Sequence, residues 1–199
     1  MTDTPILILA AGQSLRMRGA DKLAELVDGE PLLTRVARTA LAVSSLVFVA
    51  LPGPFHPRLT LLKGLPVTPL ALPDAAEGMS GTLRAGVAAL PDCARFMVLL
   101  ADMPDLTAAD LTSILAAPAT APEALIWRGA TASGKPGHPI LFSASLRRRF
   151  AALTGDNGGE VVTAPLRAQT QLVALPGTHA RLDLDTPEAW AAFRAATGQ

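Results

Sequence analysis

Three short segments of the chain are apolar almost throughout: Pro5–Ala11 (PILILAA), Ser45–Leu51 (SLVFVAL) and Arg95–Leu100 (RFMVLL). A strand with one wet face alternates polar and apolar residues. A strand covered on both faces does not, and such coverage belongs to a mostly parallel sheet with helices on either side. The intervening sequence supplies the helices. Pro31–Val43 places Leu32, Val36, Ala40 and Val43 along one stripe. Ser80–Leu90 suits a helix with Ser80 as its N-cap, and Thr107 caps a helix over Ala108–Ala116. Ser143–Leu153 reads as helical, as does Pro187–Ala196, where Thr186 caps and Pro187 takes the first position. Alternation of this kind predicts βαβ units.

Weaker signals complete the pattern. Asp28-Gly29 within Leu23–Leu33 predicts a tight turn. Leu65–Leu72 is a further strand candidate despite its neighbouring prolines, and Ala124–Trp127 and Pro139–Phe142 are two more. The stretch Ala116–Pro122 (AAPATAP) is short and runs at once into a strand, so it reads as a loop rather than a linker. The expectation is one domain over residues 1–199.

Composition narrows the function. Lys+Arg and Asp+Glu each number 17, giving a net charge of +0. A general nucleic-acid binder carries a basic excess, so nucleic acid is not an expected partner. Cys93 is the sole cysteine and forms no intramolecular disulfide. With neither a signal-peptide pattern nor an apolar run of membrane-spanning length, a soluble cytoplasmic protein with no membrane partner is expected.

In an open α/β sheet, ligands sit beyond the carboxyl ends of the strands. Four segments fall there. The first follows Pro5–Ala11: Gly12 allows a sharp turn, and Ser14, Arg16, Arg18 and Lys22 bring hydroxyl and positive charge. Freed backbone N–H groups can hold phosphate oxygens that Arg16 and Lys22 neutralise. Neither a P-loop nor a dinucleotide fingerprint is present. The second is EGMSGTLRAGV (Glu77–Val87), where Ser80, Gly81 and Thr82 open a helix and Arg84 lies one turn in. That too suits a phosphate or base edge, or simply a capped helix. In the third, VLLADMPDL, Asp102 directly follows a buried strand with no basic neighbour in sequence, which makes it a candidate Mg²⁺ ligand. In the fourth, RLDLDTPEA, an extended Leu182–Leu184 would point Asp183 and Asp185 to one face, where a cation would relieve their repulsion. Shaped loops follow at SGKPGHPILF, with Gly137 and His138, and at TGDNGGE, with Asp156.

Taken in order, these segments resemble the molybdenum cofactor cytidylyltransferases and their MobA-like NTP transferase relatives. The motifs are LAAGQSLRM…GADKL, GMSGTLRAG, LLADMPDL, GKPGHPILF, GDNGGE and LDLDTPEA. LAAG in place of LAGG leans toward the cytidylyl branch. Three places depart from the pattern, four residues in all: Arg18, the pair Gly81-Thr82, and Glu160.

The resemblance implies a single-domain, Rossmann-like fold of glycosyltransferase-A type. It also implies transfer of CMP from CTP to molybdopterin with release of pyrophosphate. Leu9, Ala10, Ala11, Gly12, Ser14, Ser80, Gly81, Thr82 and Arg84 would surround the nucleotide, with Arg16 and Lys22 on its phosphates. Asp102 with Asp183 or Asp185 would hold Mg²⁺, or Mn²⁺ in its place. Gly137, His138 and Asp156 would receive the acceptor. A molybdoenzyme or its chaperone is a further partner. Two alternatives stand beside this reading. One is the same chemistry with GTP or with another acceptor, such as a sugar phosphate. The other is a non-catalytic cofactor chaperone.

Overall fold

The computed structural model describes residues 3–155 and 158–198. In chain order its strands are β1 (Ile6–Leu9), β2 (Leu26–Val27), β3 (Glu30–Pro31), β4 (Val47–Leu51), β5 (Thr68–Ala71), β6 (Arg95–Leu100), β7 (Ile126–Ala130), β8 (Pro136–Ser143) and β9 (Thr170–Ala174). The helices are α1 (Leu32–Leu41), α2 (Arg58–Leu61), α3 (Met79–Ala88), α4 (Ala108–Ala116), α5 (Arg147–Ala151), α6 (Glu160–Thr163) and α7 (Pro187–Thr197).

Seven strands form one sheet in the order β5-β4-β1-β6-β8-β7-β9. The pairs β5–β4, β4–β1, β1–β6 and β7–β9 are parallel, whereas β8 runs against both β6 and β7. The fold is thus an α/β, Rossmann-like arrangement with a mostly parallel sheet between helices.

The apolar strands are apolar because successive side chains enter different cores. Ile6 and Ile8 of β1 join Met97, Leu99, Trp127 and Leu141 on one face, under α1, α4 and α7. Leu7 and Leu9 join Phe96, Val98, Ile126 and Phe142 on the other, under α3 and α5. On that second face Phe96, Phe142 and Phe150 meet as a triangle of rings 5.0 to 5.6 Å apart. Edge-to-face and offset contacts of this kind add stability beyond area burial.

Local signals account for most boundaries. Asp28 and Gly29 both take positive φ, 52° and 78°, and close the β2–β3 hairpin. Thr107 caps α4 in a reciprocal box with Asp110, and Thr186 caps α7. The proline-containing β5 lies at a sheet edge, where a missing N–H is tolerated.

Two expectations are corrected. Ser80 is not the N-cap of α3: Gly78 takes that position, and Ser80 is buried in the first turn at 0% exposure. Ser143–Leu153 does not form one helix, since a 3-10 turn over Ala144–Leu146 precedes the shorter α5. Among the described residues no helix is long and apolar enough to cross a membrane.

Candidate active site

The loop leaving β1 turns sharply because Ser14 and Arg18 adopt left-handed conformations, φ 52° and 53°. Met17, buried between them, pins the loop to the core. Its shape is held from below by Arg58, which is 3% exposed. The Arg58 guanidinium donates to the Ala10 carbonyl (2.5 Å), to Ser14 Oγ (3.1 Å) and to both carboxylate oxygens of Asp21 (2.7 Å each). Burial works against the charged form of Asp21. Arg58 and the Leu23 N–H outweigh that cost and hold its carboxyl below the usual range.

Lys22 follows directly. Its ammonium donates to Asp102 Oδ2 and to Asp185 Oδ1, each at 2.5 Å. Asp102 stands just past the end of β6. Asp185 is brought beside it by the Leu184 N–H, which donates to the Asp102 carbonyl (3.2 Å). Burial disfavours the Lys22 ammonium, but Asp102 and then Asp185 more than offset it, so its pKa is raised. Partial burial likewise opposes the Asp185 anion. Lys22 and Arg16 overcome this and keep its carboxyl below the usual range. Arg16 reaches Asp185 from solvent, with 70% of its side chain exposed. Asp183 is pushed the other way, first by loss of surrounding water and then by Asp185 next to it.

These groups border a cavity of about 460 Å³. Its walls are Leu9–Arg16 of the β1 loop, Gly78, Met79 and Thr82 at the start of α3, and Lys22, Asp102 and Asp185. A second cavity of about 420 Å³ adjoins it, sharing Leu9, Met79 and Leu100. Arg128, His138, Glu160, Thr163 and Arg181 supply the polar part of its lining.

The sequence model of the MobA-like NTP transferase domain matches residues 6–172. The chain belongs to that family. A Synechococcus elongatus protein named "Probable molybdenum cofactor guanylyltransferase" is 41% identical over 107 residues, which are 53% of this chain and 53% of that one. The match therefore spans about half the length of this curated relative. Rv0371c of Mycobacterium tuberculosis shares the fold at 22% identity, with a TM-score of 0.78 over 96% of this chain and 97% of that one. A second structure of Rv0371c, in complex with manganese, aligns with a TM-score of 0.72 at 23% identity, again over 96% and 97%. A CMP:2-keto-3-deoxy-manno-octonic acid synthetase complexed with CTP aligns with a TM-score of 0.77 at 14% identity, covering 100% and 99%.

Of the residues expected around a nucleotide in this MobA-like domain, Leu9, Ala10, Ala11, Gly12, Ser14, Arg16, Lys22 and Thr82 all line the first cavity. Ser80 and Gly81 lie beneath the surface, and neither lines it. Arg84 turns away, donating to the Leu153 carbonyl and to Glu77. Asp102 and Asp185 converge, whereas Asp183 is absent from the lining. Asp102 has no basic neighbour in sequence, and its basic partner in space is Lys22, 80 residues away along the chain.

Of the residues expected at an acceptor, His138 lines the second cavity. Gly137 does not: a Cβ there would lie 1.8 Å from the Ala180 carbonyl oxygen, so this glycine lets two backbones touch. Asp156 lies outside the described residues. Sequence reasoning missed Arg58, Asp21, Arg128 and Arg181. An arginine in a proline-rich loop or inside a strand gives no local signal of its partners.

The fit of a divalent cation can be tested on the donors. Asp102 Oδ1 is buried without a hydrogen-bond partner. It stands within a carboxylate pair whose ion-pair partners among the described residues are Lys22 and Arg16. No group of three or more His, Cys, Asp or Glu side chains suited to a metal occurs among the described residues. Two carboxylates nonetheless suit Mg²⁺, which completes its shell with water and substrate phosphate oxygens. Asp102 and Asp185 therefore fit the ion.

His138 sets a pH dependence of stability. Burial first, and the Arg128 guanidinium second, push its pKa from 6.5 to about 4. Below pH 6.5 the unfolded chain takes up a proton that the folded one refuses. Stability should therefore fall as pH drops through that value and level off near pH 4, a loss of ~3 kcal/mol. Urea unfolding of wild type and His138→Gln between pH 7 and pH 4 checks this, because the variant should lack that part of the slope. Parallel pH profiles would contradict it.

Proposed function

We propose that this chain transfers a nucleoside monophosphate from a nucleoside triphosphate to a phosphorylated small molecule, with CTP as donor and molybdopterin as acceptor. The observation that carries the reading is the Lys22 bridge between Asp102 and Asp185, set against a cavity built from the β1 loop. One ammonium and two carboxylates gathered beyond the carboxyl ends of β1 and β6, with Asp185 supplied by the segment before α7, suit a triphosphate and its counter-ion.

The chemistry makes modest demands. An oxygen of the acceptor phosphate bonds to the α-phosphorus, and the bond from that phosphorus to the pyrophosphate oxygen breaks. Pyrophosphate then leaves with the electron pair. The nucleophile is already ionised, so catalysis rests on alignment and charge neutralisation. The β1 loop presents its backbone and the Ser14 hydroxyl to the nucleotide, and Arg58 keeps that loop from collapsing. Lys22 releases its carboxylates and turns to the phosphates, and Arg16 closes on them from solvent. Asp102 and Asp185 would hold a divalent cation, which would supply positive charge to offset that of the phosphates. His138, uncharged at neutral pH, faces the acceptor as a hydrogen-bonding group rather than a cation.

CTP is favoured by the LAAG signature. The fold is also that of a synthetase whose structure contains CTP. GTP is the second reading, because the curated relative carries guanylyltransferase in its name. We read residues 1–199 as one nucleotidyltransferase domain working in the cytoplasm, with a molybdoenzyme or its chaperone receiving the product.

Pyrophosphate release measured with each of the four NTPs and molybdopterin tests the proposal. CTP should exceed GTP in kcat/KM by about tenfold or more, since a site that bonds one base edge leaves buried groups unpaired against another. Equal or better use of GTP overturns the cytidylyl assignment. No release with any NTP, despite tight binding of molybdopterin, would favour a non-catalytic carrier.

A further inference from the structure

An interior strand is a poor place for a cation without a carboxylate partner, yet among the described residues β7 holds one, half-buried. Strand β7 lies between β8 and β9. Ile126 and Trp127 point to opposite cores, so Arg128 falls on the face of Ile126, opposite Ile140 of β8. An apolar residue is the ordinary occupant there. A charged one is costly unless something compensates it. The Arg128 Nε donates to the Gly137 carbonyl (2.9 Å), and no carboxylate forms an ion pair with it among the described residues.

The larger of the two charge effects on it is unfavourable. Arg181 approaches from the segment before α7, with Nη1 on the Pro136 carbonyl (2.8 Å). It too has no ion pair among the described residues. Burial first, then the Arg181 charge, disfavour the Arg128 cation, and Glu160 only partly opposes them. Both arginines face the second cavity and its outward extension of about 450 Å³, where Arg167 adds a third guanidinium. His138, in the same lining, has a buried Nδ1 with no partner. The inner floor is apolar, formed by Leu83, Val98, Ile140, Phe142 and Phe150.

We propose that Arg128 and Arg181 form an anion clamp for the non-reacting end of the acceptor, so that the acceptor is a phosphorylated molecule with an apolar body and a second negatively charged group. This rests on the nucleotidyl-transfer reading of the adjoining cavity. A dianion between the two guanidiniums converts their repulsion into paired, charge-assisted hydrogen bonds. An acceptor of that kind can span both cavities, with its phosphate toward Asp102. A phosphate ester with an uncharged hydroxylic body leaves the clamp empty.

Sulfate serves as a probe that does not depend on activity. Titration calorimetry with CTP at saturation keeps sulfate out of the triphosphate site. The proteins compared are wild type, Arg128→Gln, Arg181→Gln and Arg128→Lys. Wild type should bind sulfate, each Gln variant should bind it about ten- to a hundredfold more weakly, and Arg128→Lys should recover part of the loss. CTP affinity should be unchanged throughout. In turnover, the Gln variants should raise the KM for molybdopterin by a similar factor and leave kcat within a few-fold. Arg181 is exposed, so its variant keeps the test valid if Arg128→Gln fails to fold. No sulfate binding by wild type, equal affinity in the variants, or a matching loss of CTP affinity overturns the clamp. If no NTP yields pyrophosphate while the sulfate pattern holds, the transfer reading fails and the anion site stands.

Discussion

Asp102→Ala should lower turnover by ~10²-fold or more, the usual cost of losing one preorganised electrostatic group. The carboxylate stands just past a strand end, at the rim of the first cavity, with one oxygen on Lys22 and the other buried and, among the described residues, without a hydrogen-bond partner. That free oxygen suits a cation that arrives with substrate. The effect should lie in kcat at saturating nucleotide and Mg²⁺, because Lys22 keeps Asp185 and the fold keeps its cores. Asp102→Asn, which preserves shape, should lose nearly as much. Near-wild-type turnover in both variants would remove Asp102 from the reaction.

Lys22→Ala should rank second. Among the described residues Lys22 is the cation that bonds both carboxylates, and it is mostly buried. Its loss leaves Asp102 and Asp185 facing each other with Arg16 as the remaining partner of the pair. It also removes a donor from oxygens whose charge grows as pyrophosphate departs. A fall in single-turnover rate of ~10²-fold, with weaker CTP binding, is expected. Arg16→Ala should cost less, because solvent already screens an exposed guanidinium. Arg18 pairs with Glu188 on the surface, both side chains exposed, and Arg18→Ala should be close to wild type. If Arg18→Ala proves the most damaging of the three and Lys22→Ala is silent, the phosphates lie elsewhere.

The parallel half of the sheet was legible because burial on both faces leaves a plain mark: β1, β4 and β6 are apolar runs. The caps of α4 and α7 were legible because Thr107 and Thr186 act through bonds three residues long. Elements held by distant partners left no such mark. Strand β9 (TQLVA) is a half-exposed edge, so neither an apolar run nor strict alternation identifies it. Ser80 matched a cap by type, but the chain turns at Gly78 instead and buries the hydroxyl. At the site, Asp102 and Lys22 were both picked out, yet not as partners, since their contact spans 80 residues. Arg58 was missed for the same reason: its bonds to Ala10 and Asp21 cross 48 and 37 residues.

The reversed strand β8 has a consequence for how such a protein can change. From β5 to β6 the sheet is one parallel ladder, and the Lys22 site grows from its carboxyl edge. Beyond β6 the direction flips, and β7 and β9 hang on β8 as a unit of their own. That flip is a seam in the ladder, bridged at the site by two backbone bonds: the His138 N–H donates to the Ala180 carbonyl (2.8 Å), and the Leu184 N–H donates to the Asp102 carbonyl (3.2 Å). On the nucleotidyl-transfer reading, substitutions in β7 or β9 would reshape the second cavity while leaving the parallel ladder from β5 to β6 in place, so the acceptor could change with less effect on the nucleotide.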